Sequence, residues 1–387
     1  MRSAVLLCRE YDDAMWPDLK LMWEQDHQRQ RQHLSLRCVS ILLLAIGMTL
    51  AGSAQVGRTW PGADKLFRSD PRWLGADGAF SVDLGHGRVL WLFDDTFVAR
   101  KAGDARASAA FVHNTVAIQS GRDPSHASLK FYWRGNSNPS EVFPSKGQAW
   151  MWPSSGIRLG NKLLLFCTRV VRDDAKSSLG FKLVGWNAYW VADPDEEPTA
   201  WKLKAAAKSS DRVMMASATL RDDGFVYFFG ESEPEHDLYV ARLRAETLEN
   251  GKFDALQWWS GSGWQTGPSE RRPVLRGVGT EASVQRDPGG SGFLEINSDG
   301  FGATNIVLRR ARSLEGPWSP PQTIYRPPES NAKDAFVYAG KSHPELEGAD
   351  LIVTYAANGP DEKVAKDMSL YFPRFVRVEL PARGQSQ

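Results

Sequence analysis

Asp77, Asp94 and Asp95 stand in "WLGADGAFSVDLGHGRVLWLFDDTF", Trp73 to Phe97, a stretch whose alternation is otherwise that of a β-hairpin. Two carboxyl groups flanking one bond are the equipment of glycosidic hydrolysis: one is protonated and donates to the leaving oxygen, the other is ionised and attacks carbon or activates water. Asp77 and Asp95 are the candidate pair. Glu281 in "GTEASV" is a third acid, aimed inward by its strand register, and Glu231 in "FFGESE" is a weaker fourth. Each has a plain structural alternative. Asp77 can cap the turn before Gly78, and Asp95 can bond its neighbour Thr96. Glu281 can pair with a buried Arg or Lys, and Glu231 can face solvent.

Other side chains offer hydrogen bonds or flat surfaces. His343 and Lys341 in "KSHPEL", and His113 and Asn114 in "FVHNTV", can bind a sugar hydroxyl, and a histidine can tune a carboxylate. The alternative for both histidines is a bond to a backbone carbonyl. Trp150 and Trp152 in "WMWP" are two apart and share a strand face, and "WWSGSGW" adds Trp258, Trp259 and Trp264. One or two of these five are expected to touch a ligand, Trp152 first. The chain has no Gly-x-Ser-x-Gly elbow, His-Glu-x-x-His, Cys-x-x-Cys or phosphate loop, and "DPGGSG" from Asp287 reads as a turn between strands. No motif implies a cofactor or a metal.

These residues must be held by a folded body. Of 387 residues, 42% are hydrophobic and the net charge is +1, which excludes a disordered chain and argues against a nucleic-acid partner. The segment 1–54 differs from the rest: the apolar run "VSILLLAIGMTL" from Val39, after Arg37 and before "AGSA", has the layout of a secretory signal cleaved after Ala54. Its long basic lead-in makes Met22 a candidate start. The expectation is a secreted or periplasmic monomer without stable membrane insertion after cleavage, with residues 55–387 as a single domain. Cys8 and Cys38 leave with the leader, so Cys167 remains as a buried apolar filler and no disulfide is expected.

One pattern then repeats: a small-residue strand, a turn of Gly, Asp or Asn, and a strand dense in aliphatic and aromatic residues. Five copies begin near Asp77, Ser154, Ala216, Glu281 and Tyr338, most followed by a third strand such as "FKLVGWNAYWV" or "RFVRVEL". Small antiparallel sheets in series predict an all-β, five-bladed β-propeller, with at most a short helix near "LRAETLENGKF". The first strand of each blade would line a central channel. That selects Asp77 with Gly78, Trp152 with Ser154, Met215 with Ser217, Glu281 with Ser283, and Tyr338 with Lys341 and His343.

"GADGAFSVDLGHGRVLWLFDDTF", "WMWPSSGIRLGNKLLLF", "WWSGSGW", "GTEASV", "KSHPEL" and "YFPRFVRVEL" together resemble the bacterial family catalogued as domain of unknown function 4185, over about Trp60 to Leu380. The resemblance implies a five-bladed propeller, and some members of that family are endo-D-arabinanases of glycoside hydrolase family 183. It implies a carbohydrate-active protein that cleaves a furanosidic polysaccharide, and it places Asp77 and Asp95 at the family's proposed site. Strand register adds Glu281 as a third candidate catalytic acid, with Trp152, His343, His113, Asn114 and Lys341 expected around the substrate. Where that family has Gly-Asp-Thr this chain has "DDT", so Asp94 replaces a glycine; strand alternation is expected to turn it to the opposite face and outside the mechanism. A non-catalytic carbohydrate-binding propeller and a protein-binding scaffold are the competing expectations.

Overall fold

The computed structural model describes residues 57–173, 180–300, 302 and 304–380. The leader, Met22, Cys8 and Cys38 lie outside the described residues. Among the described residues no helix is long and apolar enough to cross a membrane. The chain divides into two units, one of residues 1–54 and 172–182 and one of residues 55–171 and 183–387. The account below concerns the second.

The fold is all-β, and the sheet pairings among the described residues are antiparallel. Hairpin turns join β3 (Phe80–Gly85) to β4 (Arg88–Phe93), and the first main sheet continues with β7 (Thr115–Ser120) and β8 (Ser128–Tyr132). The second runs β9 (Trp150–Leu159), β10 (Lys162–Arg172), β11 (Phe181–Val191), β12 (Leu203–Ser209). The third has β13 (Val213–Asp222), β14 (Phe225–Ser232), β15 (Leu238–Arg244), β16 (Gln257–Trp259) and β17 (Trp264–Thr266). The fourth has β18 (Ser283–Arg286), β19 (Phe293–Ser298), β20 (Ile306–Ala311) and β21 (Gln322–Tyr325). The fifth joins β22 (Phe336–Ser342), β23 (Leu351–Asn358) and β24 (Arg374–Val378) to β1 (Gly57–Thr59) from the other end of the chain. Helices are few and short: α1 (Pro61–Asp64), α2 (Ala245–Glu249) and α3 (Asp361–Lys366), α2 falling where the sequence allowed one.

The first strands of successive sheets touch: β3 meets β9, β9 meets β13, β13 meets β18, and β18 meets β22. The series closes where Ser81 of β3 bonds His343, just after β22. This is the propeller-like arrangement that repeated hairpins imply, since each sheet must bury its faces against neighbours. Apolar layers between sheets carry that burial. One holds Phe67, Trp73, Trp91, Phe93 and Phe375, and another holds Phe166, Trp186, Phe228 and Trp258.

The opening stretch departs from its hairpin reading. Only Phe80–Phe93 forms the hairpin; Trp73–Ala76 is β2, which pairs with β5 (Thr96–Val98) and, through it, β6 (Ala110–Val112) in a separate three-stranded sheet. "FVHNTVAIQSG" is likewise split between β6 and β7. Two glycines make the break. At Gly75 (φ 118°) a Cβ would lie 2.1 Å from the Tyr371 carbonyl oxygen, and at Gly78 (φ 76°) it would lie 3.1 Å from the Asp94 carboxyl. Both aspartates of interest therefore occupy the joints between two sheets, Asp77 after β2 and Asp95 between β4 and β5.

A second backbone feature recurs at this end of the first strands. Ala79, Ala216, Glu281 and Ala339 all have positive φ (55°, 62°, 67° and 56°), Ala79 and Glu281 just ahead of β3 and β18, Ala216 and Ala339 within β13 and β22. Such residues are uncommon outside glycine and cost of order 1–3 kcal/mol each, strain that gathers at functional sites.

Candidate active site

Asp77, Asp94, Asp95 and Glu281 converge. The Asp77 carbonyl accepts from the Asp94 N–H at 3.2 Å, and the Asp77 N–H donates to the Asp95 carbonyl at 3.4 Å, so the two joints are laced together by backbone. Glu281 enters from the fourth sheet. Lys341 bridges it to the first: its ammonium donates to Glu281 Oε2 at 2.6 Å, to the Gly78 carbonyl, and to the Ala339 carbonyl at 3.1 Å. Glu281 is thus in the buried ion pair that its sequence position allowed.

The carboxyls differ in environment. Asp77 Oδ2 accepts from the Tyr338 hydroxyl at 2.6 Å, while Oδ1 is buried with no hydrogen-bond partner. Burial first, then repulsion from Asp95 and Glu281, pushes Asp77 up to about 8 against the Tyr338 and Tyr371 hydroxyls, which favour its anion. Asp94 is 5% exposed, its Oδ1 has no hydrogen-bond partner, and burial with repulsion from Glu281, Asp77 and Asp95 holds it well above the usual carboxylate range. Burial also raises Glu281, with Lys341 opposing. Asp95 is the open member, with its side chain 19% exposed. Its Oδ1 accepts from His113 Nδ1 at 2.8 Å and from Trp152 Nε1 at 3.0 Å.

The expectation that Asp94 turns to the opposite face fails. Residues 94 and 95 form a bend between β4 and β5, so strand alternation does not apply to them, and the Asp94 carboxyl packs on Gly78 inside the cluster.

Of the expected substrate contacts, Trp152 and His113 lie beside Asp95 and are partly exposed. His113 stacks on Trp150 (centroids 4.6 Å apart, planes at 15°), and Trp150 meets Trp152 edge-on at 6.3 Å. Three other expected contacts are corrected. Lys341 is 2% exposed and its three donors are used by Glu281, Gly78 and Ala339, so none reaches a sugar. His343 is 1% exposed with both ring nitrogens engaged, Nδ1 by Ser81 at 2.6 Å and Nε2 by Thr354 at 2.7 Å; burial, with Lys341 nearby, holds it well below the usual histidine range and therefore neutral. Asn114 is fully buried, donating to the Phe143 and Met151 carbonyls and accepting from the Phe143 N–H. It staples the chain after β8 to β9.

Trp258 lies in the core, and Trp259 and Trp264 pack on each other in the outer strands of the third sheet, away from the acids. Glu231 is buried, and burial pushes it up to about 8; its Oε1 accepts from Ser217 and from the Ala282 N–H, fixing the backbone next to Glu281. Cys167 is buried and its thiol is pushed up, as a filler's would be. Tyr371 went unremarked in the sequence. It reaches the Asp95 carbonyl at 3.2 Å across 276 residues, a pairing that no local pattern signals.

The chain belongs to the family described as Domain of unknown function (DUF5005), which matches residues 63–380. The likeness to domain of unknown function 4185 rests on motifs alone. No curated protein matches the chain. Among solved structures, a proposed hydrolase from Bacteroides ovatus ATCC 8483 is similar at 16% identity with a TM-score of 0.65, covering 83% of this chain and 90% of that one, and it shows the fold. Weaker similarity links the chain to the endo-arabinase from Bacteroides thetaiotaomicron VPI-5482 (13% identity, TM-score 0.44, 79% and 95% covered). The GH62 α-L-arabinofuranosidase catalytic domain of Coprinopsis cinerea is similar at the same level (13% identity, TM-score 0.44, 80% and 92% covered).

Proposed function

We propose that this DUF5005 chain is an exported glycoside hydrolase that cleaves a furanosidic, arabinan-like polysaccharide, with its five main sheets acting as the blades of a five-bladed propeller and residues 1–54 as a leader. One observation carries the reading: Asp77 and Asp94 each keep a buried carboxyl oxygen without a hydrogen-bond partner, beside an Asp95 that opens toward an indole and an imidazole. Buried polar atoms are normally satisfied; Glu231, Glu295 and Glu345 also keep such an oxygen, so it is the grouping of Asp77 and Asp94 beside the accessible Asp95 that points to chemistry. The Bacteroides ovatus protein of the same fold is itself described as a proposed hydrolase.

Roles follow from the environments. Asp77, pushed up to about 8, holds a proton at neutral pH and is the candidate general acid. Asp95 accepts N–H donors from two side chains and is the reachable carboxylate, suited to attack the sugar carbon or activate water. Glu281, tied to Lys341, acts through the field it places on Asp77. Trp150, Trp152 and His113 supply flat surface for the ring being cleaved.

A second reading, a carbohydrate-binding propeller without turnover, is favoured by the enclosure of Asp77 Oδ1. Release of reducing ends from linear arabinan and from galactan separates the two. Turnover by the wild type that disappears in Asp77→Asn and Asp95→Asn supports hydrolysis. Retention of polymer without turnover supports binding alone.

A further inference from the structure

The three-stranded sheet β2–β5–β6 holds a ring that the proposed chemistry does not use. Phe111 is 50% exposed; the other large apolar side chain exposed among the described residues is Met368, at 39%. A lone exposed ring ordinarily needs no explanation, but the position of this one is specific. In β6, Ala110 and Val112 point inward and pack with Val98, so the core under this sheet closes without Phe111. Phe111 projects from the other face, directly opposite Phe97 of β5, with ring centroids 5.0 Å apart. Phe97 rests on Tyr371 at 5.4 Å, and the Tyr371 hydroxyl bonds the Asp95 carbonyl.

The same face leads to the acids by a second route. Phe111 meets His113, two residues on, at 5.9 Å, and His113 bonds Asp95 and stacks on Trp150. An aromatic surface therefore runs outward from the cluster, from Trp152 and Trp150 through His113 to Phe111. Arg106 holds it in place. Its buried guanidinium donates to the Leu74, Val364, Asp367 and Leu370 carbonyls, pinning the turn that leads into β6 against β2 and the segment carrying Tyr371. A platform fixed before binding loses little freedom when a ligand arrives.

We propose that Phe111, backed by Phe97, is a stacking subsite for a sugar ring farther along the polysaccharide chain whose scissile bond lies at Asp77 and Asp95. The occupant is a neutral furanose or pyranose unit, because what the arm presents is apolar ring surface continuous with the His113–Trp150–Trp152 face. This rests on the polysaccharide reading above and extends it from the cleaved bond to the length of chain recognised.

Linear arabinan and galactan are the probes, tested with the full chain as wild type, Phe111→Ala and Phe111→Tyr. Retardation in polymer-containing gels reads binding, and reducing-end release reads turnover on the polymers and on the shortest oligosaccharide cleaved. Phe111→Ala is expected to weaken polymer binding about three- to tenfold, the scale of one aromatic contact, with Phe111→Tyr restoring it. On the polymer kcat/KM should fall more than on the shortest oligosaccharide, through KM. Polymer binding unchanged in Phe111→Ala, or an equal loss on long and short substrates, overturns the subsite. So does a wild type that neither polymer retards. If the wild type binds polymer without turnover while Phe111→Ala still weakens that binding, the subsite stands and hydrolysis falls.

Discussion

The two ends of the first strands differ in how many acids they gather and how many of these are paired. At one end lie Asp77, Asp94, Asp95 and Glu281, with Lys341 as the ammonium bonded among them. At the other end the same strands line a cavity of about 650 Å³ bordered by Ser81, Ser155, Ser217, Ser283 and Ser342, one serine from each main sheet, with Arg122, Arg158 and Arg221 near its rim. There Asp83 pairs with Arg122 at 3.0 Å, Asp195 with Arg158 at 2.7 Å, and Glu249 with Arg221 at 2.7 Å, while Glu345, which also lines the cavity, keeps a buried Oε1 without a hydrogen-bond partner and is pushed up to about 7 by burial. Exposed charges pair at little cost or gain, whereas buried carboxyls without cations keep a penalty that the rest of the fold must offset. The end that gathers the acids also carries the positive-φ residues Ala79, Ala216, Glu281 and Ala339. Four acids cluster beside four strained residues there, whereas the cavity end holds one acid with an unpartnered oxygen, Glu345, and the clustered end is the one to which we assign function.

The comparison breaks most sharply under amide substitution. Asp77→Asn and Asp95→Asn should each lower polysaccharide turnover by about 10²–10⁴, the range of a lost acid or base, while Asp83→Asn at the opposite end should stay within about twofold of wild type. Reducing-end assays measure all three. A loss in Asp83→Asn equal to that in Asp77→Asn would reverse the assignment of the two ends.

Removing a cation tests the same contrast through stability. Lys341→Met leaves Glu281 buried beside the other acids and should cost about 3–5 kcal/mol, whereas Arg122→Met should cost under about 1 kcal/mol. Denaturant unfolding of both variants decides it, and near-equal values would show that the Glu281–Lys341 pair is no different from a surface bridge.

The pH profile follows. Because Asp77 is pushed up to about 8, it is protonated below that pH and loses its proton above it. Turnover should therefore fall about tenfold per pH unit beyond about pH 8. A rate that holds level to pH 10 would remove Asp77 as the proton donor.

A last test, of stability and not of turnover, is at Glu231, raised from 4.5 to about 8 by burial. Between those values the folded chain binds a proton that the unfolded chain has released. Its contribution to stability is therefore full below pH 4.5 and lost as pH rises through about 8. Glu231→Gln cannot titrate, so its Tm should gain on the wild type between pH 5 and pH 8. A difference that does not change with pH would place the source of the pH dependence elsewhere.

Much of this architecture was legible in the residues. Hairpin turns such as Gly85–His86–Gly87 and the alternating strands around them located all five main sheets, and small residues ahead of Phe80, Ala218 and Lys341 marked the first strands. The outer position of "WWSGSGW" and the split of the opening stretch into two sheets were not legible, because burial and sheet membership depend on partners distant in the chain. Asn114, His343 and Lys341 look like ligand-binding residues in sequence. What turns them inward are the carbonyls of Phe143 and Met151, the hydroxyls of Ser81 and Thr354, and the carboxylate of Glu281.

The sequence by itself determined the β-rich repeating pattern and marked Asp77, Asp95 and Glu281 as candidates, since turn chemistry and residue type are local properties. Only the tertiary structure decided that Asp94 joins them, that Tyr338 and Tyr371 hold the joints from 261 and 276 residues away, and that Lys341 is occupied. Those outcomes depend on which surfaces meet when the first and last sheets close on each other, and a proton's affinity for a carboxyl is set by everything packed around it.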